Sequence, residues 1–273
     1  MSIQKTIAMF AVLCLIALGL GYWVGQLREG SREENVETTE GNKEGIKKEA
    51  VPKEPEFLKQ GLVAYYPFNG NAKDESGNND HGFLEGPTST TNRFGQLNQA
   101  IAFDGAKDGV SLPNQVYNGL ESFTFTTWLI LDALKKSPSI LSLANKNDDN
   151  AFYILFVRGG FNVAFSSENR ESLSISTDDF VHHWRQIIVA RESSEASIKV
   201  YIDGELKSNL AYTKTGPLIV DPGGAWLGQE QDSLGGEFDN QQALKGQLDD
   251  IRIYNRALSE AEVKALYDFE KAK

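Results

Sequence analysis

The chain lacks most of the side chains from which transition-metal sites and covalent catalysis are built. Cys14 is the one cysteine in 273 residues, which excludes an intrachain disulfide, a cysteine-based zinc site and a thiol nucleophile further along the chain. Only three histidines are present, at 81, 182 and 183, so little remains for zinc or for acid–base chemistry. Oxygen ligands around a hard cation are the metal chemistry that this composition still permits.

Positive charge is also scarce. Lys and Arg number 27 against 38 Asp and Glu, which gives a formal net charge of −11 at pH 7. Binding to nucleic acid requires clustered Lys and Arg, so we expect no nucleic-acid partner. Metal cations and neutral or zwitterionic ligands suit such a chain better.

The N-terminal part contains a long apolar run. Residues 6–25 carry no charge, and twenty residues of helix span a hydrocarbon core of about 30 Å. Tyr22 and Trp23 stand where aromatic side chains meet a membrane interface. Residues 1–27 are therefore predicted to be a membrane anchor, with a cleaved secretory signal as the alternative. Either interpretation puts the rest of the chain outside the cytoplasm.

Residues 28–56 have a different composition. They contain nine Glu and no aromatic residue, and their large aliphatic side chains are Val36, Ile46 and Val51. Such a segment cannot bury enough apolar surface to offset the entropy of ordering, so we interpret it as a disordered charged linker.

Residues 57–273 read as strand after strand. Alternating apolar and polar residues, as in "SIKVYI" at 197–202, indicate half-buried strands, and Asp203-Gly204 predicts a hairpin turn. A strand irregularity is expected at Asp249-Asp250. Strands are predicted at 61–68, 100–105, 123–131, 152–157, 161–166, 184–191, 197–206, 225–228 and 248–255.

One helix is predicted near the C-terminus, over 259–268. Ser259 with Glu262 three residues later forms a capping box ahead of an apolar series. Many short strands with one small helix predict an all-β, two-sheet antiparallel jelly-roll sandwich.

An acidic segment stands out in this pattern. Residues 227–244, "LGQEQDSLGGEFDNQQAL", hold four acids and four glutamines without a single Lys or Arg. In an extended chain Glu230 and Asp232 point to the same side, about 6.7 Å apart, and repel each other unless a cation lies between them. Gly235-Gly236 lets the chain fold back, which brings Asp239 and Gln242 within reach. These oxygen donors suit calcium, although a solvated acidic loop is the alternative.

Two further polar stretches are weaker candidates. "NKNDDN" at 145–150 has the composition of an ordinary turn when taken alone. Asp74, with Asp249 or Asp250, offers carboxylates for a structural cation, but turn chemistry is the favoured interpretation there.

The acidic segment resembles the calcium-binding loop of the pentraxins. The resemblance rests on "LGQEQDSLGG", then Phe-acid-x-x-Gln, then "LKGQLDDIRIYNRALS". More broadly, residues 61–268 resemble the LamG-like, concanavalin A-like jelly-roll domains of bacterial surface proteins.

The pentraxin resemblance implies two calcium ions. Glu230 and Asp232 would bridge them, and Gln231 would contribute its backbone carbonyl. Asp149 and Asn150 would complete the shell of the first ion, and Asp239 and Gln242 that of the second. Asp239 stands where the family usually has the longer Glu, so the second ion is expected to bind more weakly.

These observations predict a binding module and no enzyme. The expected function is calcium-dependent recognition of carbohydrate or of phosphate- or carboxylate-bearing ligands, in the manner of lectins or pentraxins. A structural adhesion domain stabilised by calcium is the alternative. A glycoside hydrolase is disfavoured, because the third acid after Glu230 and Asp232 arrives only at Glu237, beyond a glycine turn. The sequence leaves oligomerisation open.

Overall fold

Two facing antiparallel sheets form the structure, a computed structural model that describes residues 54–133, 136–157, 160–165, 169–212 and 216–272. Sheet A contains β1 (Leu62–Tyr66), β3 (Thr88–Thr90), β4 (Ala100–Asp104), β6 (Phe123–Leu131), β11 (Arg185–Glu192), β12 (Ser197–Ile202), β13 (Glu205–Ala211) and β15 (Lys245–Tyr254). Sheet B contains β2 (Phe83–Glu85), β5 (Gly109–Ser111), β7 (Ser139–Asn145), β8 (Asp148–Val157), β9 (Gly160–Phe165), β10 (Asn169–Ser176) and β14 (Ala225–Leu227).

Strand order explains how distant segments meet. Sheet A runs β13-β12-β11-β6-β15-β4-β3, with β1 also paired to β15, and sheet B runs β10-β9-β8-β7-β14-β5-β2. β7 lies between β8 and β14: Leu141 pairs with Ile154 on one side and with Leu227 on the other, so residues of three distant segments become neighbours in sheet B. The predicted two-sheet antiparallel sandwich is confirmed.

The core lies between the sheets. Alternate residues of β6 and β8, including Phe125, Leu129, Phe152, Ile154 and Phe156, are at most 1% exposed and belong to one apolar cluster. Burying a side chain of this size stabilises a fold by about 1.5–3 kcal/mol, so inward-facing alternation fixes the strand register.

Helix α1 (Glu260–Lys271) covers the outer face of sheet A. Ser259 caps it, and both hydrogen bonds of the predicted capping box with Glu262 are present. Val263 and Leu266 pack in a second apolar cluster that includes Tyr254 of β15. The helix is confirmed, and it ends three residues beyond the predicted position 268 because Phe269 also packs against this cluster.

Two local predictions are also confirmed. Asp203 and Gly204 both have positive φ, 52° and 76°, as a two-residue hairpin turn between β12 and β13 requires. The pairing of β15 with β6 shifts between Asp249 and Arg252, and Asp250 has φ of 47°. This bulge is the expected irregularity.

One loop prediction is confirmed only in part. The stretch 145–150 belongs to the β7–β8 hairpin, and β8 begins at Asp148, whereas the predicted strand started at 152. Asn145 pairs with Asp148, so the turn consists of Lys146 and Asn147 alone. Asn and Asp are typical of turns, but a neighbouring strand overrode that preference here.

The predicted membrane anchor and residues 28–53 of the linker lie outside the described residues. In the part of the chain that is described, no helix has the length and apolarity to cross a membrane. The predicted start of the domain at residue 57 falls within a 3₁₀ turn at Glu56–Lys59.

The buried carboxylate of Glu270 connects helix α1 to sheet A. We therefore expect the protein to lose much of its stability when this carboxylate is removed. Glu270 is fully buried and accepts hydrogen bonds from Trp128 Nε1 (2.8 Å), Gln186 Nε2 (3.0 Å) and Arg252 Nε (2.9 Å). Glu270→Ala leaves the Arg252 charge buried without this partner, so we expect a loss of about 3–5 kcal/mol in urea denaturation. Asp268→Ala, which removes an exposed partner of Lys264, is the control and should cost less than about 1 kcal/mol. Equal losses in the two variants would contradict this assignment.

Candidate functional site

The acidic segment forms a closed loop, 228–244, between β14 of sheet B and β15 of sheet A. Gly228 starts it with φ of 78°, and a Cβ there would lie 2.4 Å from Phe103 Cε1, so the turn requires glycine. At the base of the loop the Leu244 N–H donates to the Gly228 carbonyl at 2.8 Å.

Backbone hydrogen bonds hold the second half of the loop beside β7. The Ser139 N–H donates to the Gln242 carbonyl at 2.8 Å, and the Ser137 N–H donates to the Gln241 carbonyl at 3.2 Å. These bonds do not depend on the side chains of the loop. They bring residues about a hundred positions apart in sequence to the same place.

A cavity of about 180 Å³ lies where the loop meets β8. Four of the seven predicted ligands line it together: Asn150, Glu230, Asp232 and Gln242. Asn150 belongs to β8, and the other three belong to the loop. The tertiary structure therefore brings these four predicted site residues around one space.

The other predicted ligands surround this group. Partial burial and the nearby carboxylates of Asp149, Asp239 and Glu237 raise the pKa of Asp232. Asp149 and Asp239 are thus close enough to Asp232 to act on its charge, although neither lines the cavity. Gln231 is fully buried, and its side chain turns away from the cavity to Ser142 and Gly224.

Three of the predicted metal-ligating acids have no basic partner among the described residues. Asp149, Asp232 and Asp239 form no ion pair with Lys, Arg or His there. Asp149 accepts from Asn150 Nδ2 at 3.0 Å, and Asp239 accepts from the Gln241 N–H at 2.9 Å. The site is accordingly a concentration of negative charge held by polar hydrogen bonds.

An apolar wall completes the cavity, and the sequence prediction missed it. Tyr153, Leu155 and Val157 line the cavity together with the acids. They lie on the outer face of β8, whereas Phe152, Ile154 and Phe156 face the core. The continuous apolar run "FYILFV" was the available signal, because a strand that is apolar on both faces is covered on both.

Carboxylates alone do not form a metal cage here. In residues 54–272, leaving aside the undescribed gaps, no three side chains of His, Cys, Asp or Glu are grouped closely enough to hold a metal ion. A cation at this cavity would therefore need the amide oxygens of Asn150 and Gln242 and backbone carbonyls as well.

The second acidic candidate has internal partners. Asp74 accepts hydrogen bonds from the backbone N–H groups of Tyr65, Ser76 and Asp80, which hold the pKa of its carboxyl below the usual value against the opposing effect of burial. Asp249 and Asp250 both pair with Arg93, at 2.5 and 2.7 Å. The favoured turn interpretation of Asp74 fits these contacts.

The fold and the site define a class of protein. It is a jelly-roll domain with a loop rich in glutamine and acidic residues that lies beside an apolar wall. Comparison with known families is more specific. The Pentaxin family profile matches residues 103–272. The chain belongs to the Pentaxin family.

Individual relatives agree with this assignment. The chain is 30% identical over 172 residues to C-reactive protein of Rattus norvegicus, an alignment covering 62% of this chain and 73% of that protein. It is 26% identical over 178 residues to C-reactive protein 1.4 of Limulus polyphemus, covering 63% and 73%.

Solved structures share the fold. A native heptameric SAP-like pentraxin from Limulus polyphemus superposes with a TM-score of 0.50 and 19% identity, covering 62% of this chain and 81% of that one. Domain 4 of AbnA, an extracellular arabinanase of Geobacillus stearothermophilus solved with arabinotriose, gives a TM-score of 0.58 and 19% identity, covering 76% and 98%. At these identities the likeness concerns the fold alone.

Proposed function

We propose that this domain binds calcium at the acidic loop and uses it to hold an anionic or hydroxyl-rich ligand. The observation that carries the proposal is the cavity shared by Asn150, Glu230, Asp232 and Gln242. The set of donors fits the ion, since calcium takes six to eight oxygen ligands from carboxylates, amides, backbone carbonyls and water.

Charge supports the same proposal. Glu230, Asp232, Asp239 and Asp149 together carry four formal negative charges, which two calcium ions would balance. Repulsion among them disfavours the metal-free site, and a divalent cation would remove that repulsion. We propose that the first ion uses Asp149, Asn150, Glu230 and Asp232 with the Gln231 carbonyl.

The second ion is proposed to be weaker. Its ligands would be Glu230, Asp232, Asp239 and Gln242. Asp239 is one methylene shorter than Glu, and one of its oxygens already accepts the Gln241 N–H. Fewer reachable donors lower the affinity of a calcium site.

The ligand is proposed to contact both calcium and the apolar wall. Calcium with an open coordination position accepts phosphate, carboxylate or vicinal hydroxyl oxygens, while Tyr153, Leu155 and Val157 offer an apolar surface beside it. This combination favours a small ligand with one charged or hydroxyl-rich end and one less polar end. Carbohydrate and phosphate or carboxylate compounds both meet that description.

Calcium titration tests the first step. We expect wild-type protein to bind calcium saturably in calorimetry, and Glu230→Gln with Asp232→Asn to abolish binding at millimolar calcium, because two bridging carboxylates are lost. Calcium at a hundred times its Kd should also stabilise the fold by about 2.7 kcal/mol. Glu237→Gln is the control: it removes a nearby charge but no proposed ligand, so the affinity should fall by less than about fivefold. Absence of binding by wild type would refute the proposal.

Ligand capture separates recognition from mere stabilisation by calcium. We expect the protein to be retained on an immobilised phosphate monoester or an immobilised neutral sugar in calcium, and to be released by a chelator. Leu155→Asp should weaken retention about tenfold or more while calcium binding persists, since it puts a charge into the apolar wall. Calcium binding with retention on neither matrix would favour the structural adhesion alternative.

We also propose that residues 6–25 tether the domain to a membrane, outside the cytoplasm. The support is the length of this uncharged run. Full chain should sediment with membranes and resist an alkaline wash, and deletion of residues 6–25 should release it. A mature N-terminus sequenced downstream of this run would instead support cleavage and secretion.

A further inference from the structure

We infer that Gln229 and Gln231 are positioning residues of the acidic loop, whose buried side chains hold the carboxylates of Glu230 and Asp232 at the cavity. The inference rests on the proposed calcium binding and concerns what makes that site ready for the ion.

Gln231 is the stronger anchor. Its side chain is fully buried and uses both ends of the amide. Nε2 donates to the Ser142 carbonyl (3.3 Å), the Ser142 hydroxyl (3.2 Å) and the Gly224 carbonyl (3.1 Å). Oε1 accepts the Gly235 N–H at 2.8 Å. One side chain therefore joins β7, the start of β14 and the glycine turn of the loop.

Gln229 anchors the loop to the turn between β4 and β5. It is 1% exposed, and Nε2 donates to the carbonyls of Asp108 (2.9 Å) and Ala106 (3.4 Å) in the turn between β4 and β5. Its Oε1 has no hydrogen-bond partner in the described part of the chain, so Gln229 holds the loop less firmly than Gln231 does.

In the run Gln-Glu-Gln-Asp at 229–232, alternate residues have different roles. Gln229 and Gln231 bond to the framework, whereas Glu230 and Asp232 line the cavity. In chain segments near the extended form, alternate side chains point to opposite sides. Fixing two residues on one side therefore fixes the direction of the two carboxylates on the other.

Such anchoring matters because the carboxylates repel one another. A loop without anchors would relax away from the crowded arrangement, and the ion would then have to order the loop when it binds. Groups that orient the ligands of a metal typically contribute about 10–100-fold to its affinity. The glutamines are expected to act in this way without touching the ion through their side chains.

The test uses the purified full chain with Gln231→Met and Gln229→Met, which keep side-chain length and remove the amide. Gln241→Met is the matched control, since Gln241 lies in the same loop with an exposed side chain. Calcium affinity by calorimetry, thermal unfolding in chelator and the luminescence lifetime of bound Tb³⁺ are measured for each protein. The lifetime counts water in the coordination shell, which a purely stabilising residue would not change.

We expect Gln231→Met to weaken calcium binding about 10–100-fold and to shorten the Tb³⁺ lifetime. Gln229→Met should have a smaller effect in the same direction, and Gln241→Met should stay within about twofold. Should Gln231→Met not fold, Ser142→Ala removes one partner of Gln231 and should still weaken binding measurably.

Two negative results have different meanings. If Gln231→Met lowers the unfolding temperature but leaves affinity and lifetime unchanged, the residue is only structural and the inference is overturned, while calcium binding stands. If wild type itself binds no calcium, the proposed function fails and this inference fails with it.

Discussion

Repulsion among carboxylates is the constraint around which the candidate site is organised. Partial burial and the nearby carboxylates of Asp149, Asp239 and Glu237 raise the pKa of Asp232. Like charges stay together only if something holds them. Backbone hydrogen bonds from Ser137 and Ser139 hold the second half of the loop, and the buried amides of Gln229 and Gln231 anchor the first half.

The negative charge of a second acidic cluster in this chain is balanced in a different way. Asp249 and Asp250 sit at a bulge in β15 and are paired with the buried guanidinium of Arg93, which also donates to the Glu270 carbonyl. An internal cation balances charge permanently and makes the cluster part of the fold. The loop 228–244 has no basic residue to play that part. This contrast is why an external cation is a sensible proposal for the loop.

The outer face of β8 makes one part of the site apolar. Tyr153 and Leu155 are 4% and 5% exposed although they point away from the core. Acidic and apolar side chains that line one cavity are a basis for selecting ligands with two unlike ends. Membership of the Pentaxin family is consistent with a binding role, and the site, more than the shared fold, carries the argument for it.

Much of this protein followed from local sequence alone. Period-2 patterns, the Asp203-Gly204 turn and the Ser259–Glu262 capping box predicted strands, hairpin and helix, because each depends on neighbours within four residues. The residues that belong to the acidic loop could also be predicted, because acids and glutamines are concentrated there without Lys or Arg. Strand β7, "SILSLAN", was not predicted, because buried polar residues interrupt its aliphatic ones and leave neither a period-2 alternation nor a continuous apolar run. The pentraxin resemblance, and no local pattern, assigned Asn150 to the site of the loop. Only the tertiary structure decided that the apolar wall of β8 meets the loop as well, since that meeting depends on the order of strands in sheet B, which long-range pairing sets.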